Sequence, residues 1–536
     1  MRHDDMSTRI STPQMFYSNV SGYQKGYADI VKTQQQISSG VRIQTPADDP
    51  VGAARLLQLD QQQEQLKQYS TNMTSATNAL TNENALLETV TNILQRAREL
   101  TVKAGGGSLS DEDRSAVASE LDEITDQLLD IMNSKDASGN YIFGGSKTGV
   151  QPFVRNPDGS VSYQGDQTNL TLQVSGSGSL AVNDSGWSIF ENVINSSRTQ
   201  SSLTTDPNTD GQRVFLSPGL VANSTQYNKN FRDGQPYTLE LVSSTQFRIL
   251  DTNGNDVTSE ASSTNGAFDP NATDGTTINF RGATFELDVA LKSADEQGDM
   301  DTLLTGYSFS FGVADTEVAI TRSASNTSTA QITSGSVTNQ TVYTTQFPNN
   351  GVQIRFTSAT DYEVYAQPVL NGNTPISSGT LSGIYPDTIS FAGVEVQISA
   401  AAAAGDTFVV QGKSAETQSV FETLTSLSST LKTPVAGDTA AQLALRDSVA
   451  SALSNLDNGM RQVDATVSSI GARLNVIDTL GTENQSLQIS TASNQSSIRD
   501  TDMSEAISRL VLQQTKLEAA QASFVKISQL SLFNKL

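Results

Sequence analysis

Cysteine is absent from this 536-residue chain, and histidine and tryptophan occur once each. Without Cys there are no disulfides, thiol nucleophiles, zinc fingers or iron–sulfur clusters. The lone histidine, His3, sits in a polar N-terminal stub, so His-based metal sites and Ser-His-Asp triads have no material. Basic residues are scarce: 33 Lys+Arg stand against 57 Asp+Glu, a formal charge of −24. A chain this acidic, with no basic block, is a poor partner for nucleic acid or an anionic membrane. No apolar run approaches the length of a membrane span. The N-terminus, MRHDDMSTRISTPQ, lacks the apolar core of a cleavable signal peptide, so export would use another route. The length is ample for a packed core and predicts roughly two to four domains.

Proline and aromatics are missing from particular places. No proline occurs between Pro50 and Pro152 or after Pro434, and no aromatic between Tyr69 and Tyr141 or between Phe421 and Phe524. Two proline-free, aromatic-poor arms therefore flank a middle of different chemistry. Proline is costly inside a helix, so such arms permit long helices.

The arms carry helical periodicity. Leu66, Tyr69, Met73, Ala76, Leu80, Glu83, Leu87, Val90, Leu94, Ala97, Thr101 and Ala104 alternate spacings of three and four, and only Glu83 and Thr101 break the apolar pattern. This is a heptad seam of coiled-coil type, a rod of roughly 58 Å at 1.5 Å per residue. Gly105-Gly106-Gly107 ends it. Ser110, with acids at 111–113, then reads as a helix start, and Val117, Leu121, Ile124, Leu128 and Ile131 share one face. In the C-terminal arm, Met460, Val463, Val467, Ile470, Leu474, Ile477 and Gly481 repeat the alternation. After a polar stretch, Ile507, Leu510, Leu517, Phe524, Ile527 and Leu530 mark a last amphipathic helix. Near the other end Val20, Tyr23, Tyr27, Ile30, Val31 and Ile37 form a similar stripe, ended by Gly40. Such stripes are ordinarily core; coming from opposite chain ends, these favour a shared bundle.

The middle, from about 146 to 412, reads as strands. Tyr237–Leu241 and Val352–Phe356 alternate at period two, and Asn156-Pro-Asp-Gly159 and Asn253-Gly254 supply turns. Ser243–Ile249 matches Ser358–Val364, and Thr277–Gly282 matches Thr388–Gly393, with an Asn-Gly-Asn between the matched segments each time. Two related β units are expected. This middle holds 11 basic and 26 acidic residues, a net −15, so the acidity is heaviest where solvent is expected.

Catalytic constellations are not found. There is no G-x-S-x-G elbow and no phosphate-binding G-x-x-x-x-G-K-[ST] loop. Asp251-Thr-Asn253-Gly-Asn255-Asp256 resembles the start of a calcium loop, but the glycine is displaced and position twelve is Ser262, so a hairpin turn is the expectation. Asp48-Asp49, between Pro46 and Pro50, reads as a helix entry rather than an acid pair. No carboxylate spacing singles out a glycosidase pair. No enzyme, cofactor or metal is expected.

Ser38-Ser39-Gly40-Val41-Arg42-Ile43 followed by Pro46-Ala47-Asp48-Asp49-Pro50 resembles the signature of the bacterial flagellin superfamily. Arg9–Thr12, Leu109–Arg114, Asn140–Gly145, Leu431–Val435 and the tail Leu530–Asn534 resemble its hook-associated protein 3 family in particular. The likeness runs from about Met6 to Arg198, closing at Gly186–Phe190, and again from about Lys413 to Leu536. Members usually begin at a Met close before the Arg-Ile pair, so Met1–Asp5 reads as an extension or a choice of start. Segment 199–412 behaves as an insertion.

The expected fold is α+β and multidomain. Long coiled-coil-like helical arms from both ends pack together, and mostly β outer domains come from the middle. Expected segments are 1–65 (N-terminal helical core and linker), 66–145 (rod helices), 146–198 (small β domain), 199–412 (inserted β region), 413–482 (rod helices) and 483–536 (C-terminal helical core). The resemblance implies an exported, extracellular, structural part of the flagellum at the hook–filament junction. Its implied partners are hook-associated protein 1, flagellin, further copies of itself in a ring or helical layer, and an export chaperone, with no nucleic acid and no membrane. The expected assembly interface is Val20, Tyr23, Tyr27, Ile30, Ile37, Ile507, Leu510, Leu517, Phe524, Ile527, Leu530 and Phe533. The other readings are a flagellin filament subunit, or an adhesin or glycan-binding module in 199–412.

Overall fold

A computed structural model describes residues 12–533 except 107–108, 157–158, 262–264, 293–294, 296–298, 315–316, 324–325, 340–341, 344–345, 349–350, 368, 370–372 and 414–415. Among the described residues, six long helices come from the two chain ends: α1 Thr12–Ser39, α2 Pro50–Ala104, α3 Asp111–Met132, α4 Val420–Lys432, α5 Thr439–Arg499 and α6 Met503–Phe533. Twenty strands lie between them, in antiparallel pairs, so the fold is α+β.

The helix boundaries follow local chemistry. Gly40, with φ +71°, stops α1 in the left-handed region that suits glycine. Asp49 accepts the Gly52 N–H at 2.9 Å ahead of Pro50, the helix entry read from the sequence. Ser110 and Asp113 form a reciprocal capping box at the start of α3. Every member of the α2 seam from Leu66 to Ala104 is buried, Glu83 and Thr101 included. Thr101 satisfies itself through the Ala97 carbonyl at 2.7 Å. Glu83 accepts the Asp184 N–H at 3.0 Å, so this break in the pattern fastens the chain beside the helix. In α5, Val463, Ile470 and Ile477 are buried at seven-residue intervals.

Two expected boundaries fall inside continuous helices: α2 runs through 65/66 and α5 through 482/483. The stretch after Gly481 is polar but has no proline, and a helix needs neither an apolar stripe nor a perfect former at every turn. Helix α4 is an element that the proline and aromatic distribution did not mark.

The chain forms two compact units. The first comprises Met1–Leu80, Thr171–Val182 and Gly471–Leu536. It holds α1, α6, parts of α2 and α5, and the hairpin β3 (Thr171–Gln173) with β4 (Ser179–Ala181). The second comprises Thr81–Leu170 and Asn183–Ile470. It holds α3 packed on α4, the hairpin β1 (Phe153–Arg155) with β2 (Val161–Tyr163), and two larger β assemblies.

The first assembly contains β5 (Thr199–Thr205), β6 (Val214–Leu216), β7 (Leu220–Val221), β8 (Tyr237–Ser243), β9 (Gln246–Leu250), β10 (Thr276–Phe280), β11 (Ala283–Val289) and β12 (Ser308–Val313). Its sheets run β5-β12-β8-β9 and β10-β11-β6. The other contains β13 (Glu317–Arg322), β14 (Ile332–Val337), β15 (Val352–Phe356), β16 (Asp361–Ala366), β17 (Ser377–Thr380), β18 (Asp387–Phe391), β19 (Val394–Ile398) and β20 (Thr407–Lys413). Its order is β17-β16-β15-β20-β13-β14-β19-β18. Pairing β13-β20-β15-β16 repeats β5-β12-β8-β9, and β18-β19-β14 repeats β10-β11-β6.

The matched sequences lie in equivalent hairpins. β10 and β11 turn through Arg281-Gly282, β18 and β19 through Ala392-Gly393, and all four turn residues have positive φ. A Cβ on Gly282 would stand 2.6 Å from the Asn223 carbonyl, and one on Gly393 2.5 Å from the Asn339 carbonyl. Each assembly has its own core, with Phe231, Phe280 and Phe311 in one and Phe356, Phe391 and Phe408 in the other. The chain leaves and re-enters the helical part at adjacent points: the Asn195 N–H donates to the Glu416 carbonyl and the Gln418 N–H to the Val193 carbonyl, both at 2.9 Å.

Candidate assembly interface

Helices α1 and α6 lie antiparallel in the first unit. Tyr23 donates its hydroxyl to the Ala520 carbonyl at 2.7 Å, and the Thr33 hydroxyl donates to Gln513 Oε1 at 2.9 Å. Phe524 packs against Phe16 and Tyr23, with ring centroids 5.7 and 5.8 Å away. A groove of about 550 Å³ runs between the helices, lined by Gly22, Tyr23, Gly26, Leu517, Ala520 and Phe524.

The turn after α1 is tied to the turn before α6. The Arg42 N–H donates to the Arg499 carbonyl at 2.7 Å, and the Thr501 N–H to the Gly40 carbonyl at 2.9 Å. The Arg42 guanidinium also donates to the Ile498 carbonyl at 2.7 Å. Asp48 meets the Lys32 ammonium at 2.5 Å. That contact, with the Thr45 N–H, holds the Asp48 carboxyl down at about 2. These groups anchor a bend; no catalytic geometry accompanies them. Among the described residues, no cluster of His, Cys, Asp and Glu could hold a metal. Asp251 accepts the Asn253 and Asn255 N–H groups at 2.8 and 2.9 Å, so its carboxylate closes a turn.

The residues expected at an assembly interface separate into groups. Ile30 is buried; Val20, Tyr23, Ile37, Leu510, Leu517 and Phe524 are half-buried. Tyr27 and Ile507 face solvent, 64% and 50% exposed, instead of joining the packed stripe. Helix geometry rotates Tyr27 away, because the contact line follows Ile30, Thr33 and Gln36 on α1; on α6 the buried neighbour of Ile507 is Ala506. The side chains of Ile527, Leu530 and Phe533 lie outside the described residues. Thr33, Gln36 and Gln513 escaped the sequence reading, and Arg42 entered it only within the Ser38–Ile43 signature. The first two sit at the apolar stripe's own spacing from Ile30, which is the signal that could have found them.

The pair buries little of itself. Among the described side chains of α1 and α6, only Ile30, Thr33, Gln36 and Ala506 are fully buried, while Tyr17, Tyr27, Val511, Leu512 and Val525 are exposed. Isolated helices with so little packing are marginal. In the free monomer we expect weak amide protection over 12–38 and 503–533, beside strong protection of the α2 seam. Strong protection at both ends would show that the pair is stable without partners.

The profile of the bacterial flagellin N-terminal helical region matches residues 10–148. The flagellar hook-associated protein 3 of Salmonella typhimurium is 38% identical over 225 residues, covering 41% of this chain and 68% of that protein. Its Escherichia coli counterpart is 36% identical over 185 residues, covering 34% of this chain and 57% of that protein. A crystal structure of flagellar hook associated protein-3 from Legionella pneumophila is 21% identical, covers 82% of this chain and 98% of that one, and has a TM-score of 0.47. No described helix is long and apolar enough to cross a membrane. By its identity to the Salmonella protein and its span of that protein's length, the chain belongs to the flagellar hook-associated protein 3 family, whose members are structural flagellar proteins and not enzymes.

Proposed function

We propose that this protein is the hook–filament junction subunit of a bacterial flagellum. It adds a layer of copies onto hook-associated protein 1 and accepts flagellin on its distal face, in support of motility. The observation that carries this reading is the α1–α6 pair. Both chain ends meet there, hold each other through few buried groups, and present Tyr27, Ile507, Val511 and Leu512 to water. Exposed apolar faces of this kind are covered in an assembly. Each fully buried Leu or Phe contributes roughly 1.5–3 kcal/mol.

In this reading the helical arms behave as coiled-coil-like rods in a tubular core, and the β assemblies point outward. The subunit leaves the cell unfolded through the flagellar type III apparatus, with a chaperone holding α6, and completes its core at the growing tip. Folding on binding of this kind suits marginal helices. Deleting the gene is expected to give cells with complete hooks and with flagellin lost to the medium. Normal filaments on the deletion strain would refute the reading.

A further inference from the structure

Strand β11 has two faces. Phe285 and Leu287 point into the core of the first β assembly, while Thr284, Glu286 and Asp288 point the other way, towards α5. The face of α5 that meets them repeats at helical spacing: Leu443, Ala444, Asp447, Ser448 and Ser451. The two surfaces do not close on each other, and a cavity of about 540 Å³ remains between them. At its edge the Ser197 and Ser451 hydroxyls meet, and between β11 and α5 a guanidinium bridges the gap. Arg446 donates to Asp288 Oδ1 at 2.8 Å and makes a second bond to Oδ2, with Asp447 Oδ1 3.3 Å from the same guanidinium. Asp288 is buried, and its carboxylate occupies the space a Cβ on Gly275 would take, 2.5 Å from Oδ1.

The charges here do not balance. From β11 come Glu286 and Asp288; from α5 come Arg446 and Asp447. The segments at 197–201 and 215–220 line the cavity with Ser197, Ser201, Ser217 and apolar groups, while Arg198 is turned to Glu416 at 2.6 Å. One guanidinium therefore faces three carboxylates. The bidentate pair between Arg446 and Asp288 holds a permanent cation at the contact, because guanidinium does not deprotonate. Arg446 attracts the other two carboxylates, but when ionised they repel Asp288 and each other, and one cation does not offset three anions.

We propose that the first β assembly is latched to α5 by a pH-sensitive contact, in which Arg446 and Asp288 form the fixed pin and Glu286 and Asp447 form the release. Protonated, the two release groups let the surfaces close; ionised, they push β11 off the helix, and the cavity gives the motion room. Burial raises the carboxyl pKa of both Asp447 and Glu286. The sign follows: a carboxyl whose pKa is raised in the docked state favours docking at low pH and weakens it as pH rises through that value. The proposal stands independently of the junction reading.

The absence of cysteine makes the test direct. Spin labels on Thr273→Cys and Thr439→Cys, both at exposed positions, report the distance between the assembly and α5 in the full chain. We expect a narrow distance distribution at about pH 4.5 and a broader or longer one at about pH 8. Adding Glu286→Gln and Asp447→Asn should keep it narrow at both, and Asp288→Asn should leave it broad at both. Equal distributions at the two pH values in the parent would overturn the proposal. So would a pH response that survives the double substitution, or an Asp288→Asn chain as narrow as the parent.

Discussion

Phe524→Asp is expected to leave cells with hooks, without attached filaments and unable to swim. Phe524 is the aromatic of α6 that packs against Phe16 and Tyr23 of α1. Each ring pair is worth about 0.5–1.5 kcal/mol beyond its buried area, so losing both removes roughly 1–3 kcal/mol per subunit. The substitution also places a charge in a half-buried, largely apolar groove. In the layer proposed above the pair would repeat in every copy, so a small loss per copy would become a large loss in assembly. The measurement is flagellin and the variant itself in the culture medium, with swimming on soft agar. Export of the variant must be seen, since a chain retained in the cell would also give no filament. Gln514→Asp, on an exposed face of the same helix, serves as the control. Filaments attached normally to Phe524→Asp cells would dissociate the α1–α6 pair from assembly.

The second large effect is expected at Asp406, which sits 1% exposed where the second β assembly enters β20. Its carboxylate accepts the Thr327 N–H at 2.8 Å, the Ala403 N–H at 3.0 Å and the Ser328 N–H at 3.3 Å. Burial pushes the carboxyl pKa up, but the hydrogen bonds from Ser328, Ala403 and Thr327 win and hold it at about 2. Asp406→Ala removes the acceptor of these part-buried donors, at up to about 1–3 kcal/mol for each that water does not reach. A net loss near 3 kcal/mol would speed amide exchange in β15 and β20 by roughly 100-fold in the full chain. The pH dependence has a definite sign. The folded value lies below the ordinary carboxylate value of 3.8, so the stabilisation is present above that value and is lost as pH falls towards 2. The gap between parent and variant should therefore close across that window. A gap that is constant with pH would mean the charge does not carry the effect.

Asp406 also shows where sequence reading stops. In the other β assembly the equivalent place is held by Tyr307: its carbonyl accepts the Leu241 N–H at 3.0 Å, as the Asp406 carbonyl accepts the Phe356 N–H at 2.9 Å. The side chains then do different work. Tyr307 accepts the Arg213 N–H at 2.8 Å through its hydroxyl, whereas Asp406 gathers a loop. The backbone pattern was legible because strand alternation and two-residue turns with glycine repeat along the chain. The side-chain roles were not, because the donors on Asp406 lie up to 79 residues away and nothing in local spacing connects them.

The helical arms divide in the same way. Periods of three and four in 66–104 identify a buried line, and all of it is buried, because one helix turn brings those positions onto one side whatever covers them. The capping box at Ser110, the bend at Asp48-Asp49 and the stop at Gly40 are likewise local. The sequence by itself thus determined that the chain ends are helical and the middle is β, where several helices begin and end, the lack of materials for thiol or histidine chemistry, and the family. Only the tertiary structure decided that Thr33 meets Gln513, that Tyr27 and Ile507 face water, that Glu83 fastens Asp184, and that Asp288 and Asp447 meet Arg446 beside Glu286. Periodicity records the side on which a residue lies. Its partner is set by chain segments hundreds of positions apart, whose approach is fixed by packing of the whole unit.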